Sequence, residues 1–151
     1  TVAKVYRTAI DTYLKERENW YVRPEWIAEL EKISHRPYTD GFANGRPDES
    51  AQNYGKSTNT QTHDFIGLVL GYNDEEKYVD LEQRNNFKVG DKVEFCQPKG
   101  ELVEAVIEKM TDEYGNPIDV APHAQMKVRL YMDTKLEPYS MMRRECKVKA
   151  E

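Results

Sequence analysis

Phe65-Ile66-Gly67-Leu68-Val69-Leu70-Gly71-Tyr72, closed by Asn73-Asp74, decides how this chain is read. The run is β-rich and ends on a turn-forming pair, so it predicts a strand, with Gly67 and Gly71 marking a bend or bulge inside it. Downstream, Tyr78, Asp80 and Glu82 alternate against Val79 and Leu81, and after Phe87-Lys88-Val89 a Gly90-Asp91 turn leads into Val93-Glu94-Phe95-Cys96. Pro98-Lys99-Gly100 reverses the chain before a strand over Leu102 to Met110, in which Val103, Ala105 and Ile107 oppose Glu104, Val106 and Glu108. Tyr114-Gly115-Asn116-Pro117 makes another turn ahead of Ile118 to Val120. Met126, Val128, Leu130 and Met132 then alternate with Lys127, Arg129 and Tyr131. Roughly six short strands, with turn residues every 8 to 12 positions, indicate a sandwich or a small closed antiparallel β-barrel, and at this size the barrel is the expectation over 63–151. Its expected core is Phe65, Leu68, Leu70, Val79, Leu81, Val93, Phe95, Val103, Ile107, Val128 and Leu130.

Upstream the period changes. Val2, Val5, Tyr6, Ala9, Ile10, Tyr13 and Leu14 recur at three- and four-residue steps, which places them on one stripe of a helix. Pro24, favoured in a first turn, then Glu25 and the spaced Trp26, Ile27, Leu30 and Ile33 predict a second helix ending near Ser34. Between Ala43 and Thr62 the only large apolar group is Tyr54, so this stretch reads as a polar linker that cannot pack a core. The expected organisation is a helical segment over 1–42, a linker over 43–62 and a β-barrel domain over 63–151. The β class thus sits behind two short α-helices.

With 38% hydrophobic and 32% charged residues, the composition is that of a soluble chain, and no run reaches the 18 or so apolar residues of a membrane helix. No basic region followed by an apolar stretch opens the sequence, and the first residue is Thr1, so the expectation is a cytoplasmic protein of which this is an excised piece. Cys96 and Cys146 share no metal-ligand or redox spacing and are expected to be reduced thiols. A net charge of −5 argues against nucleic-acid binding by global electrostatics, while leaving room for a local basic face.

Chemistry is hard to find in the motifs. His35, His63 and His123 show no spacing that would make a metal site or a dyad, and no Gly-x-Ser-x-Gly elbow is present. His35 follows a helix end, where an imidazole can cap carbonyls, and His123 lies in a proline-fixed loop where it can face a partner. The glycines form neither a Gly-x-Gly-x-x-Gly nor a Walker pattern. Catalytic, cofactor-binding and metal-binding residues are therefore all expected to be absent. Basic groups gather late, at Lys127, Arg129, Lys135, Arg143, Arg144, Lys147 and Lys149. They read either as a solvated face balancing the acidic Asp74, Glu75, Glu76, Asp80 and Glu82, or as a surface for RNA phosphates.

Tyr6-Arg7 with Ala9-Ile10-Asp11, Ser34-His35-Arg36 and Gly41-Phe42 are similar to the end of the catalytic region of the U32 family of collagenase-like peptidases. Asp64 to Tyr72, Arg84-Asn85-Asn86-Phe87-Lys88-Val89-Gly90-Asp91, Gly115-Asn116-Pro117-Ile118 and Ala121-Pro122-His123 resemble that family's C-terminal domain. The resemblance implies a bacterial-type parent with an α/β-barrel catalytic domain, classed as a peptidase, some members of which instead take part in hydroxylating tRNA uridine or ribosomal RNA cytidine. The family's catalytic stretch, a Glu followed by a His-Gly-Ala segment and paired cysteines, has no counterpart here, so no active-site residue carries over. What the resemblance implies is a non-catalytic accessory module that positions substrate or partner; the residues expected to contact tRNA or other RNA, Lys127, Arg129, Arg143 and Arg144 with His123, are read from the basic cluster and the proline-fixed loop themselves. Presentation of polypeptide to a collagenase-like protease, and an independent small hydrolase, are the alternatives. Expected partners are the N-terminal catalytic domain of the same protein and RNA, with no membrane, and with self-association available through the first helix.

Overall fold

The computed structural model describes residues 1–36, 38–49 and 60–146. These divide into two compact units, one holding the described part of Thr1–Thr62 together with Cys146, the other His63–Glu145. Half of the stretch expected as a linker, residues 50–59, lies outside the described residues, as do Lys147 and Lys149.

The first unit is helical. Helix α1 spans Val2–Glu16, a single 3-10 turn follows at Arg17–Asn19, and α2 spans Pro24–Glu31 with proline in its first turn. The aromatic groups join the two helices: Trp20 Nε1 donates to Ala9 O at 3.1 Å, and its ring meets Tyr13 edge-on at 5.9 Å and Trp26 at 6.2 Å. Val5 and Trp26 are buried, while Tyr6, Ile10, Tyr13, Leu14 and Ile27 on the same stripes stay exposed. All of these but Leu14 line an apolar cleft of about 560 Å³. His35 sits past α2 with Nδ1 2.8 Å from Ile33 O, its ring stacked on Tyr38 at 4.5 Å. No helix among the described residues is long and apolar enough to cross a membrane.

The second unit is a sheet. Its strands are β1 (His63–Asn73), β2 (Tyr78–Gln83), β3 (Phe87–Lys88), β4 (Lys92–Cys96), β5 (Val103–Val106), β6 (Met110–Asp112), β7 (Val120–Ala121), β8 (Lys127–Tyr131) and β9 (Met141–Glu145). Seven form one sheet in the order β5-β4-β9-β1-β2-β8-β6, and β3 pairs with β7 separately. Strands β5 and β6 are consecutive in sequence yet stand at opposite edges. From Val106 to Met110 is four Cα steps, which span at most about 15 Å. Seven flat strands at their usual spacing would hold the edges about 29 Å apart. The sheet must therefore curl.

It does not close. The expected closed barrel is replaced by an open, curled half-barrel, because the predicted strand over Leu102 to Met110 breaks at Ile107. Ile107 turns into the core and bonds to the β3–β4 turn, its N–H to Asp91 O at 3.0 Å and its carbonyl from Gly90 N–H at 2.8 Å. The seam is thus filled by a turn and a buried side chain, with no ladder between β5 and β6.

The core is Ile66, Val69, Val79, Leu81, Phe87, Val93, Phe95, Ile107, Met110, Ala121, Val128, Leu130, Leu136 and Met142. Three expected members of β1 fall elsewhere: Phe65 is 45% and Leu70 40% exposed, and Leu68 is half-buried. The register shifts between Phe65 and Gly67, and again between Val69 and Gly71, so the apolar run turns Ile66 and Val69 inward in place of its neighbours. Gly67 has no alternative: a Cβ there would stand 2.9 Å from Leu81 Cδ2 and 3.0 Å from Met142 Cε.

Candidate nucleic-acid interface

Strand β8 alternates as the sequence predicts, with Val128 and Leu130 in the core and Lys127, Arg129 and Tyr131 on the other side. Its ladder with β2 sets Lys127 opposite Glu82, Arg129 opposite Asp80 and Tyr131 opposite Tyr78. The two tyrosine rings meet edge-on at 5.8 Å. Each carries a cation: the Arg129 guanidinium lies 5.1 Å from the Tyr78 ring centre and the Lys109 ammonium 4.4 Å from that of Tyr131. The outer face thus carries Lys109, Lys127 and Arg129 beside the carboxylates of Asp80 and Glu82, with the half-buried Tyr131 ring at one end and the buried Tyr78 ring beneath Arg129.

The late basic residues separate by their partners. Arg143 on β9 is buried and its Nε donates to Glu94 Oε1, with His63 Nε2 3.4 Å from the same oxygen. Arg144 Nη1 holds Asp91 Oδ2 at 2.5 Å, and Lys135 Nζ holds Asp74 at 2.5 Å, keeping that carboxyl below the usual carboxylate range. Lys127 and Arg129 form no ion pair among the described residues, although Asp80 and Glu82 face them across the ladder; Glu82 is taken by Arg84 at 2.6 Å. His123 is exposed in the β7–β8 loop, where its carbonyl accepts from Met126 N–H at 3.1 Å. The structure therefore brings together Lys127 and Arg129 on one face, sets His123 in the loop leading into it, and commits Arg143 and Arg144 to the β4–β9–β1 side.

Lys127 forms the ridge between two clefts. One, about 290 Å³, is lined by Leu70, Gly71, Asp80 and Leu81; the other, about 310 Å³, by Asp112, Glu113, Tyr114, Gln125 and Met126. Sequence reasoning singled out neither Tyr114 nor Gln125, because both sit in turns, where no periodicity marks which way a side chain faces. The pairing of Tyr78 with Arg129 was more accessible, since both lie at alternating positions of neighbouring strands.

Cys96 and Cys146 are both free thiols. Among the described residues no three His, Cys, Asp or Glu side chains are grouped so as to hold a metal ion.

Residues 61–143 match the profile of the peptidase family U32 C-terminal domain, and residues 1–53 that of peptidase family U32. The chain is 41% identical to tRNA hydroxylation protein P1 of Bacillus subtilis over 95% of its own length and 34% of that protein's. It is 31% identical to tRNA hydroxylation protein P of Escherichia coli over 89% of its length and 29% of that protein's. It thus spans about a third of the curated relatives it matches. A crystal structure of the C-terminal domain of a Geobacillus thermoleovorans protein, described as a U32 peptidase candidate, superposes with a TM-score of 0.52 at 46% identity, over 54% of this chain and 99% of that one. On these grounds the chain belongs to peptidase family U32, and its strand-rich half is that family's C-terminal domain.

Proposed function

We propose that this chain serves a larger U32-family protein as a non-catalytic accessory module that positions tRNA. The observation that carries the reading is the outer face of β8, where Lys127 and Arg129 stand at alternating positions, Arg129 over the Tyr78 ring, and neither forms an ion pair among the described residues. Cations without a carboxylate partner on an open sheet face suit the phosphates of an RNA strand. The names of the relatives, tRNA hydroxylation proteins, support the choice of RNA. His123 extends the face at its loop end. Asp80 and Glu82 temper the field, so affinity comes from a few contacts and the module orients RNA more than it captures it.

Titrating tRNA against the full-length protein over a salt series tests this. Lys127→Glu and Arg129→Glu should each weaken binding and lower the salt slope by about 1, whereas Lys135→Glu, at a position already paired with Asp74, should change neither. Wild-type affinity without salt dependence, or binding of gelatin in place of tRNA, overturns the reading; the latter favours presentation of polypeptide.

A further inference from the structure

The cleft of about 310 Å³ beside Lys127 is small, at the low end of the range that holds single small ligands, and its walls are of three different kinds. Tyr114 forms one. Its side chain is 81% exposed, yet its backbone is among the most tightly tied in the unit. Asp112 Oδ1 accepts from Tyr114 N at 2.9 Å and from Asn116 N at 2.8 Å, Oδ2 accepts from Asn116 Nδ2 at 2.9 Å, and Asp112 N donates to Asn116 O at 2.9 Å. Gly115 completes the turn with φ +90°, a conformation that side-chain-bearing residues adopt only under strain. A large ring is thereby displayed to water on a rigid mount.

Gln125 forms the second wall, in the left-handed region at φ 62°. Its N–H bonds to Gln83 O at 3.0 Å and Gln83 N–H returns to Met126 O at 2.9 Å, which pins the loop to β2. A non-glycine residue held there carries backbone strain that a glycine would avoid. Its amide, which carries both a donor and an acceptor, has no hydrogen-bond partner among the described residues. Lys127 forms the third wall. Arg129 is close behind, since a Cβ at Gly115 would come within 3.8 Å of its Nη1.

We infer that this cleft takes one unpaired base of an RNA strand, stacked on Tyr114, with its polar edge read by the Gln125 amide and its phosphate over Lys127. The inference rests on the RNA-positioning reading above and names the subsite within it. The acidic side of the cleft gives the strand a direction: Asp112 is consumed by its own turn, and Glu113 repels phosphate, so the backbone runs along Lys127 and Arg129 while the base points at the tyrosine. Stacking on an aromatic ring tolerates any base, and the amide adds a modest preference.

The experiment uses the full-length protein with tRNA, following affinity, salt slope and melting temperature. Tyr114→Ala should weaken binding about five- to a hundredfold with the salt slope unchanged, and Tyr114→Phe should restore it. Gln125→Gly should raise the melting temperature while lowering affinity, a pairing of signs that a merely structural residue does not give. Unaltered affinity in Tyr114→Ala, alongside a reduced slope in Lys127→Glu, overturns the base cleft and leaves the RNA-positioning reading standing. Absence of salt-dependent tRNA binding by the wild type overturns both.

Discussion

Glu94 on β4 and Arg143 on β9 face each other across the ladder with both side chains nearly excluded from water, and the guanidinium Nε donates to the carboxylate. Such a pair contributes little compared with an apolar pair of the same size, but breaking it strands a charge in the interior. Arg143→Ala is expected to cost about 3–5 kcal/mol in urea unfolding, and the double change Glu94→Leu with Arg143→Met to recover most of it. A single variant as stable as the wild type would show that water reaches the pair.

Gly67 and Gly71 both interrupt β1, but only the first is crowded. Gly67→Ala should lower stability by about 1–3 kcal/mol, since the side chains that the new Cβ would displace, Leu81 and Met142, are themselves fully buried in the core. Gly71→Ala meets nothing within 4 Å and should stay within about 0.5 kcal/mol. Equal effects at the two sites would contradict the packing described here.

Asp112 is held below the usual carboxylate range, first by the hydrogen bond from the Asn116 side chain and then by backbone N–H groups of the turn. A depressed folded value means that the turn's extra stability is fully present above the unfolded carboxylate value of about 3.9 and is lost as pH falls through the lower folded one. Amide resonances of Tyr114 and Asn116 should therefore hold steady from neutral pH to the mildly acidic range and shift only below it. In Asp112→Ala that acid-side transition should vanish and Tyr114 should gain mobility at every pH.

The cleft between α1 and α2 is walled almost wholly by apolar side chains, Tyr6, Ile10 and Ile27 among them. A dye that fluoresces on apolar surfaces should bind this chain in its folded state, and Ile10→Asp should abolish most of the signal. Retained fluorescence in the variant would place the dye elsewhere.

Elements with a plain period were legible in the sequence: α1 from its stripe, β2 and β8 from their alternation. The β1 run was recognisable as a strand, but not which of its faces turns inward, because apolar groups occupy both sides and two bulges decide between them. Strand β9 gave no signal at all. Met141-Met142-Arg143-Arg144-Glu145 reads as a basic run, and only the carboxylates of Glu94 and Asp91, some fifty residues earlier, allow arginines into the middle of a sheet. The same two pairings decide the candidate site. Of five residues expected to face RNA, Lys127 and Arg129 share an outer face because alternation governs β8, while the surroundings of Arg143 and Arg144 were set by partners that no local pattern reveals.

His63 and Glu145, the first and last residues of the sheet unit, are partners in the β1–β9 ladder. The unit therefore opens and closes at one spot, like a loop on a thread. Tension applied through the flanking chain would load that ladder at its end and peel it one hydrogen-bonded pair at a time, the weak direction for a sheet, instead of shearing all its bonds at once. New termini cut at the Asn73–Tyr78 turn, with His63 and Glu145 joined by a short bridge, would leave every strand pairing in place and move the point of attack to the β1–β2 ladder.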